Sequence, residues 1–291
     1  MAALNGNAAR SLQYEERQRE TFGDVAVLDR ACPLCGDANE KTPAGRYSLG
    51  TWTMKTCRSC NLTYLDKAPD YEALFSKMNW EKTTRFEEEW RQTTRPTQQR
   101  ISKKMRWRMR LLPRKKMPDL VARYSRPGNV VDLGCGNGGQ LFGLDERFTP
   151  FGIEISTESA QQANGFFSEK GGRVINAPSL EGLKEFPDEF FAAATLRSYL
   201  EHELHPAAVL RELFRTLEKG GVALIKVPNY GCLNRMVMGH RWAGFRFPDH
   251  LNYFTPATLR HMAETLGYRV SYGLTFRLPT SDNMYAVLTR P

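Results

Sequence analysis

Val130-Val131-Asp132-Leu133-Gly134-Cys135-Gly136-Asn137-Gly138-Gly139 is the stretch on which the fold turns. A β-branched, apolar run ends abruptly in a glycine-rich turn, as when a buried strand delivers a loop to a ligand. Glycine adopts positive φ without strain and lets the backbone approach a bound group closely. Gly134, Gly136 and Gly139 also satisfy the spacing Gly-x-Gly-x-x-Gly, so a nicotinamide or flavin nucleotide has to be weighed.

Asp132 separates these ligands. A carboxylate two residues before the first glycine would lie near the pyrophosphate of a dinucleotide, where like charges repel. S-adenosylmethionine has no phosphate, and its ammonium and sulfonium groups suit an acidic loop. Glu154, 22 residues after Asp132, ends the next strand-like run and can accept hydrogen bonds from both ribose hydroxyls. Either carboxylate alone could cap a turn or end a strand in solvent; the two at this spacing point to the methyl donor. Asp132, Gly134, Cys135, Gly136, Gly138, Glu154 and Ile155 form the expected cofactor loop, with Cys135 as a small filler lacking a partner that would activate it.

Outward from this loop, strand-like and helix-like patterns alternate from about residue 126 to the end, the signature of an α/β domain with a mainly parallel sheet. Strands are expected at Asn129–Leu133, Pro150–Ile155, Arg173–Asn176, Phe190–Leu196 and Val222–Val227. Helices are expected at Ser156–Lys170, at Pro206–Glu218 with Gly220-Gly221 as its terminus, and near Pro256–Leu266. Tyr268–Leu274 and Met284–Thr289 follow without an intervening helix and read as a terminal hairpin.

Upstream, composition divides the chain into a polar lead-in (1–28), a cysteine module (29–68) and a basic helical linker or cap (69–125). Cys32-Pro33-Leu34-Cys35-Gly36 and Cys57-Arg58-Ser59-Cys60-Asn61 can each present two thiolates to one point, and together they suit a closed four-cysteine site for structural zinc, a zinc ribbon. A redox pair or an iron centre are the competing readings. Four sulfur ligands leave no open position for metal catalysis, and zinc would stabilise a module too small to bury enough surface alone. Short β-type runs such as Tyr47–Met54 accompany the cysteines.

The net charge of +9 is local. Of the 41 Lys and Arg, 11 fall between Arg91 and Lys116, where there is no Asp or Glu; the remaining 30 nearly balance the 32 acidic residues. Ile101, Met105, Met109 and Leu112 recur at helical spacing between Pro96 and Pro113, so the segment reads as an amphipathic helix with a basic face. Its plain role is a cap with a solvated face. An acidic substrate, a carrier protein or nucleic acid are the sharper ones, with Trp80, Trp90 and Trp107 interleaved. With 41% hydrophobic and 25% charged residues, no apolar run near membrane-spanning length and no secretion signal, the default location is cytoplasmic.

The loop resembles the first motif of class I S-adenosylmethionine-dependent methyltransferases. Leu200-Glu201-His202 with His205-Pro206, then Leu217-Glu218-Lys219-Gly220-Gly221 and Val227-Pro228-Asn229, resemble later motifs of one branch: ubiquinone-biosynthesis-type enzymes and bacterial enzymes acting on natural products or sugars. His250-Leu251-Asn252-Tyr253-Phe254-Thr255-Pro256-Ala257-Thr258-Leu259 is similar to a His-x-x-x-Phe-x-Pro-x-x-Leu signature of that branch, and many members begin with a Cys-Pro-x-Cys-Gly module. The resemblance implies a Rossmann-like seven-stranded sheet, mostly parallel with a terminal antiparallel hairpin. It also implies methyl transfer to oxygen, nitrogen or carbon of a small-molecule acceptor. It places Glu201 and His202 beside the acceptor, and in some members nearby acidic residues bind a divalent cation. His202 has a pKa suited to a base, with His250 and Tyr253 as the second catalytic pair; the plain alternative is that Glu201 and His202 shape the loop or contact the cofactor edge. His205, before a proline at a helix start, reads as structural, and His240 and His261 as surface or packing residues. Phe190-Phe191 stands where the family's fourth strand carries Phe-Asp, with Asp188 just upstream as a substitute. An RNA methyltransferase, using the ribbon and basic helix to hold its substrate, is the alternative. A non-catalytic scaffold is the third reading.

Overall fold

The chain begins with helix α1 (Ala2–Phe22) in the computed structural model, which describes residues 2–70, 80–96, 116–272 and 281–291. The expected lead-in is therefore an ordered element. Its residues are mostly polar, which hides the helix from a hydropathy reading, but Tyr14 and Phe22 are buried. Strand β1 (Val27–Asp29) pairs antiparallel with β4 (Lys67–Pro69), and between them β2 (Met54–Thr56) and β3 (Thr63–Leu65) form a hairpin whose loop carries Cys57 and Cys60. Of the expected β-run at 47–54 only Met54 enters a strand; Leu49 and Trp52 form an isolated bridge.

Helix α2 (Trp80–Thr94) buries Thr83, Phe86, Glu87 and Trp90, positions spaced to share one helical face. Tyr14 packs edge-on against Phe86 and Trp90 at ring separations of 5.4 and 5.1 Å, so α1 lies on α2. The amphipathic helix expected at 96–112, with Trp107, lies outside the described residues, as do most positions of the basic segment. Helix α3 (Met117–Tyr124) follows and buries Met117, Pro118, Leu120 and Val121.

The main sheet opens with β5 (Gly128–Leu133), β6 (Phe148–Ile153) and β7 (Arg173–Ile175), with helix α4 (Thr157–Glu169) between the last two. Ser156 caps α4 with its side chain. The short α5 (Ser179–Lys184) precedes β8 (Phe191–Arg197), and α6 (Pro206–Thr216) leads into β9 (Leu217–Pro228). After α7 (Leu233–Met238), the two-residue β10 (Asn252–Tyr253) and α8 (Pro256–Thr265), strands β11 (Arg269–Ser271) and β12 (Asn283–Thr289) close the chain. Residues 273–274 of the first expected hairpin strand lie outside the described residues. Strand order is β11-β12-β9-β8-β5-β6-β7, with β5 to β9 parallel and the last two strands antiparallel.

This is the expected seven-stranded Rossmann-like sheet with a terminal hairpin. One local expectation fails. Gly220-Gly221 does not end a helix: α6 stops at Thr216, and the glycines lie within β9. Leu217 pairs with Phe191 and Val222 with Ala193, so four residues bulge between these pairs, and Gly220 takes φ 77° there. A helix C-terminus and a bulge both require positive φ, which is why the glycines alone do not distinguish them.

Strand β5 sits where the strand order reverses, between β6 and β8, and the crevice beyond such a strand's carboxyl end is where this architecture binds ligands. The core does not divide at the compositional boundaries. Leu62 and Tyr64 of the cysteine module pack with Val131, Ile153 and Leu196 of the sheet. Tyr14, Trp52 and Trp90 share a second core with Trp242, Phe245 and Tyr253. Strand β10 completes the module's sheet by pairing with β3.

Candidate active site

Directly after β5 the backbone turns through three glycines with positive φ: Gly134 (67°), Gly136 (54°) and Gly138 (82°). A Cβ at Gly134 would lie 2.9 Å from the Tyr199 ring, whereas one at Gly136 would meet nothing within 4 Å. The first position is therefore closed by packing and the second faces the open crevice. Asp132 is buried within the sheet; its Oδ1 accepts a 2.6 Å hydrogen bond from Thr195, and its Oδ2 is buried with no partner. Burial pushes its pKa up to about 7, against the hydrogen bond from Thr195 and the charge of Arg197.

Glu154, one residue beyond β6, accepts 2.8 Å hydrogen bonds from the backbone N–H groups of Gly136 and Ser156. An ionised carboxylate has about four lone-pair sites, so about two remain for ribose hydroxyls. The Ile155 carbonyl accepts from Asn176, which ties the strand end to the start of α4. Cys135 is buried against Gly152, where a Cβ would come within 2.6 Å of its sulfur, and burial, then Asp132 and Glu154, hold its thiol far above the ordinary range. The loop fits S-adenosylmethionine: an ammonium group would supply the missing partner of Asp132 Oδ2, and the open side of Gly136 leaves space beside Glu154.

The loop after β8 carries Glu201 and His202. It is clamped from afar: the N–H groups of Leu251 and Asn252 donate to the Glu201 carbonyl at 2.7 and 3.0 Å. The Asn252 side chain donates to the carbonyls of Leu200 and Glu203, and Arg30 donates to Leu204 O and Asn252 Oδ1. His202 Nδ1 lies 2.8 Å from the Asp249 carbonyl and 3.1 Å from its Oδ1; His250 Nδ1 lies 2.8 Å from the Gly244 carbonyl. A carbonyl can only accept, so both Nδ1 atoms carry the proton and each neutral ring keeps its lone pair on Nε2.

The two rings meet edge to face, centroids 4.8 Å apart. Glu201 is buried, with Oε1 3.9 Å from His202 Nε2 and Oε2 without a partner. One ligand atom from each of Glu201, His202 and His250 lies within 4.8 Å of the others. Burial would lower the His202 pKa, but the Asp249 carboxylate, then Glu201, outweigh it and hold it above the ordinary value. Burial likewise opposes ionisation of Asp249, yet His202 and the Arg246 guanidinium, 2.8 Å away, keep it well below the carboxylate range. Burial and the neighbouring His202 depress His250, and burial raises Glu201.

Tyr253 lies in an adjoining aromatic layer, 5.6 Å from Tyr230, 5.8 Å from Phe245 and 6.4 Å from Phe247 between ring centroids. Its hydroxyl is buried without a partner.

At the other end of the cysteine module, Cys32 Sγ lies 3.4 Å from Cys60 Sγ and Cys35 Sγ 3.5 Å from Cys57 Sγ, all four within 4.8 Å of one another and none in a disulfide. Tetrahedral zinc with bonds of about 2.3 Å sets its sulfurs about 3.8 Å apart, so the four could hold that ion. The two turns repeat one geometry: Gly36 N donates to Cys32 O and Asn61 N to Cys57 O, both at 2.9 Å, with φ of 78° and 61°. Asn39 donates to Cys57 Sγ at 3.3 Å, a contact that orients the thiolate.

A methyltransferase-domain family model matches residues 99–272, more than half of the chain. The chain belongs to this methyltransferase family. A trans-aconitate 2-methyltransferase of Acidovorax sp. (strain JS42) is 32% identical over 115 residues, covering 38% of this chain and 43% of that protein. An uncharacterised 37.1 kDa protein of a Streptomyces fradiae transposon is 31% identical over 121 residues, covering 39% and 34%. The chain thus spans less than half the length of these curated relatives. Among solved structures, a SAM-dependent methyltransferase of Archaeoglobus fulgidus is similar at 18% identity, covering 60% of this chain and 92% of that one, with a TM-score of 0.45. One from Thermotoga maritima is also 18% identical, covers 60% and 88%, and has a TM-score of 0.47.

The structure brings Asp132, Glu154 and the glycines together at the carboxyl ends of β5 and β6, and Glu201, His202 and His250 to one cluster. Tyr253 sits a layer away. His205 is the N-cap residue of α6 and makes no side-chain cap hydrogen bond. Asp188 does not stand in for the family's strand aspartate. It is exposed and paired with Arg215, while Phe190 and Phe191 pack with Phe151 and Phe186. Residues that sequence reasoning missed are Thr195, Asp249, Arg246, Asn252 and Arg30. Asp249 adjoins His250 and was the one within reach, but nothing local tells that it faces His202.

Proposed function

We propose that this methyltransferase transfers the methyl group of S-adenosylmethionine to a small-molecule acceptor, with His202 as general base. The observation that carries the reading is the orphaned Oδ2 of Asp132 on β5, together with a His202 that follows the neighbouring strand β8 and is held by Asp249. The donor, when bound, supplies an activated methyl group that needs alignment more than further activation. Asp132 would hold its ammonium and Glu154 its ribose, with Gly136 giving the backbone approach. His202 Nε2 would accept the proton of an acceptor hydroxyl or amine, while Asp249 fixes the ring orientation and stabilises the imidazolium. The Acidovorax relative, named a trans-aconitate 2-methyltransferase, supports a small molecule as acceptor.

A second reading has one favouring observation. Glu201 Oε2 is buried and unpartnered in a cluster with two histidines whose Nδ1–H groups are each held by a carbonyl, and this is how metal-binding histidines are oriented. A divalent cation there would orient an acceptor oxygen in place of base catalysis. Zinc at the four cysteines is proposed as structural. Calorimetry of the full chain with S-adenosylmethionine tests the donor reading, and absence of binding by folded protein would refute it. Activity after exhaustive treatment with a magnesium-selective chelator, compared with His202→Gln, separates base from cation.

A further inference from the structure

The strongest unassigned feature is a cluster of cations away from the donor loop. A shallow surface cleft is lined by Arg10 of α1, by Arg46, Tyr47 and Ser48 of the cysteine module, and by His240 and Phe245 from the segment after α7. Arg95, just past α2, borders it and donates to the His240 carbonyl at 3.1 Å. Three separate parts of the chain thus bring guanidinium groups to one place. Among the described residues no carboxylate lies within ion-pair distance of Arg10, Arg46 or Arg95.

The nearest acid, Glu87, is already engaged by the Tyr14 hydroxyl at 2.9 Å and Arg91 at 3.1 Å. Burial, then Arg10 and Arg91, push Arg95 down to about 10, and burial lowers Arg10. Mutual repulsion of half-buried cations costs folding free energy unless an anion relieves it. The Arg46 guanidinium stacks 4.6 Å above the Tyr47 ring, a posture that fixes its direction and leaves its N–H fork available.

The cleft also adjoins the acceptor side. Phe245 lines it and packs 5.8 Å from Tyr253, while the preceding residue, Gly244, accepts the His250 hydrogen bond. We propose that Arg10, Arg46 and Arg95 form a binding site for a multiply charged anionic group, phosphate or clustered carboxylate, carried by the methyl acceptor. What the anion belongs to rests on the methyl-transfer reading; the site itself stands apart from it. Planar guanidinium forks match both oxyanions bidentately, and Ser48 adds a hydroxyl donor.

The test is calorimetric titration of sodium pyrophosphate and of sodium citrate into the zinc-loaded full chain at low ionic strength, with S-adenosylmethionine titrated in parallel. Binding of either anion that the double variant Arg10→Gln/Arg46→Gln weakens at least about tenfold supports the site, since two charge-assisted contacts are lost. Preference for pyrophosphate assigns a phosphate-bearing acceptor, and preference for citrate a polycarboxylate. No anion binding by folded chain, or binding that the double variant leaves unchanged, overturns the proposal. Should the double variant fail to fold, Arg46→Gln alone is expected to weaken binding and Arg46→Lys to retain part of it; equal binding by both overturns the site. Anion binding that depends on the arginines in a chain that does not bind S-adenosylmethionine would refute the donor reading and keep the cleft.

Discussion

The proposed donor side and the proposed acceptor side of this molecule are built in different ways. Asp132, the glycine turn and Glu154 come from one strand–turn–strand unit closed by the Gly136–Glu154 contact, although Asp132 also accepts from Thr195, 63 positions away. The acceptor side is assembled from distant pieces. His202 meets Asp249 47 positions away, Asn252 meets Arg30 222 away, and Tyr14 donates to the Phe247 carbonyl 233 away. A local unit can be inherited intact by many chains, whereas a surface made of several distant segments belongs to one chain. The donor should thus be the general part of this protein and the acceptor the particular part.

The sharpest way to break that contrast is to remove the metal expected at Cys32, Cys35, Cys57 and Cys60. Apparent binding free energies of structural zinc run to about 10–16 kcal/mol, comparable with the whole stability of a domain at about 5–15 kcal/mol. Chelation, or Cys57→Ser, is expected to unfold the module and with it the clamp that Arg30 and β3 place on the acceptor loop. Circular dichroism and thermal melts should register a separate early transition and complete loss of transfer. A melting temperature unchanged within about 2 °C, against the roughly 2–8 °C that 1 kcal/mol alone can move, would mean that the cysteines stabilise nothing.

The same contrast explains what can be read in advance. The sheet and the glycine turn are legible because period-two and period-3.6 patterns and a glycine-rich stretch are local signals. Helix α1 is legible only as an irregular or partly helical lead-in, since only Tyr14, Gln18 and Phe22 among its later residues are buried, too few to stand out in a polar run. The bulge at Gly220 imitates a helix end because both need the same backbone conformation. Asp249 and Arg30 carry no local signal at all: their roles follow from tertiary closure, which one sequence without relatives does not reveal.

His202→Gln probes the acceptor side alone. Loss of a positioned general base lowers kcat by about 10²–10⁴-fold. The donor affinity, held by residues of the other crevice wall, should stay within about twofold. If His202→Gln weakened donor binding as much as turnover, the two sides would not be separable.

Asp132→Asn probes the donor side, with a smaller expected effect. Removing one charge-assisted contact from a buried site costs about 1.5–3 kcal/mol, roughly 10–100-fold in donor affinity. The native protein adds a pH signature. Asp132 is raised from 3.8 to about 7 by burial, so folding is penalised increasingly as pH rises from about 4 towards 7, where the unfolded carboxyl is ionised and the folded one is not. A cationic donor prefers the carboxylate. Its affinity should therefore fall as pH drops below about 7, and this slope should vanish in Asp132→Asn.

The smallest effect, and the most specific, belongs to Asp249→Asn. The carboxylate holds the His202 pKa above its ordinary value, so their pairing stabilises the fold fully below about pH 6.5, the unfolded histidine value, and is lost as pH rises through the higher folded value. Asp249 itself is depressed, so it stays ionised throughout that window. The stability gap between native protein and Asp249→Asn should consequently be wider at about pH 5.5 than at about pH 8.5. The rising limb of kcat against pH should move to lower pH, since the carboxylate that raises the His202 pKa is gone. The asparagine can still accept a hydrogen bond from His202 Nδ1, so ring orientation survives and only the charge is lost. A gap equal at both pH values would assign Asp249 an orienting role through its carbonyl, and leave the basicity of His202 to Glu201.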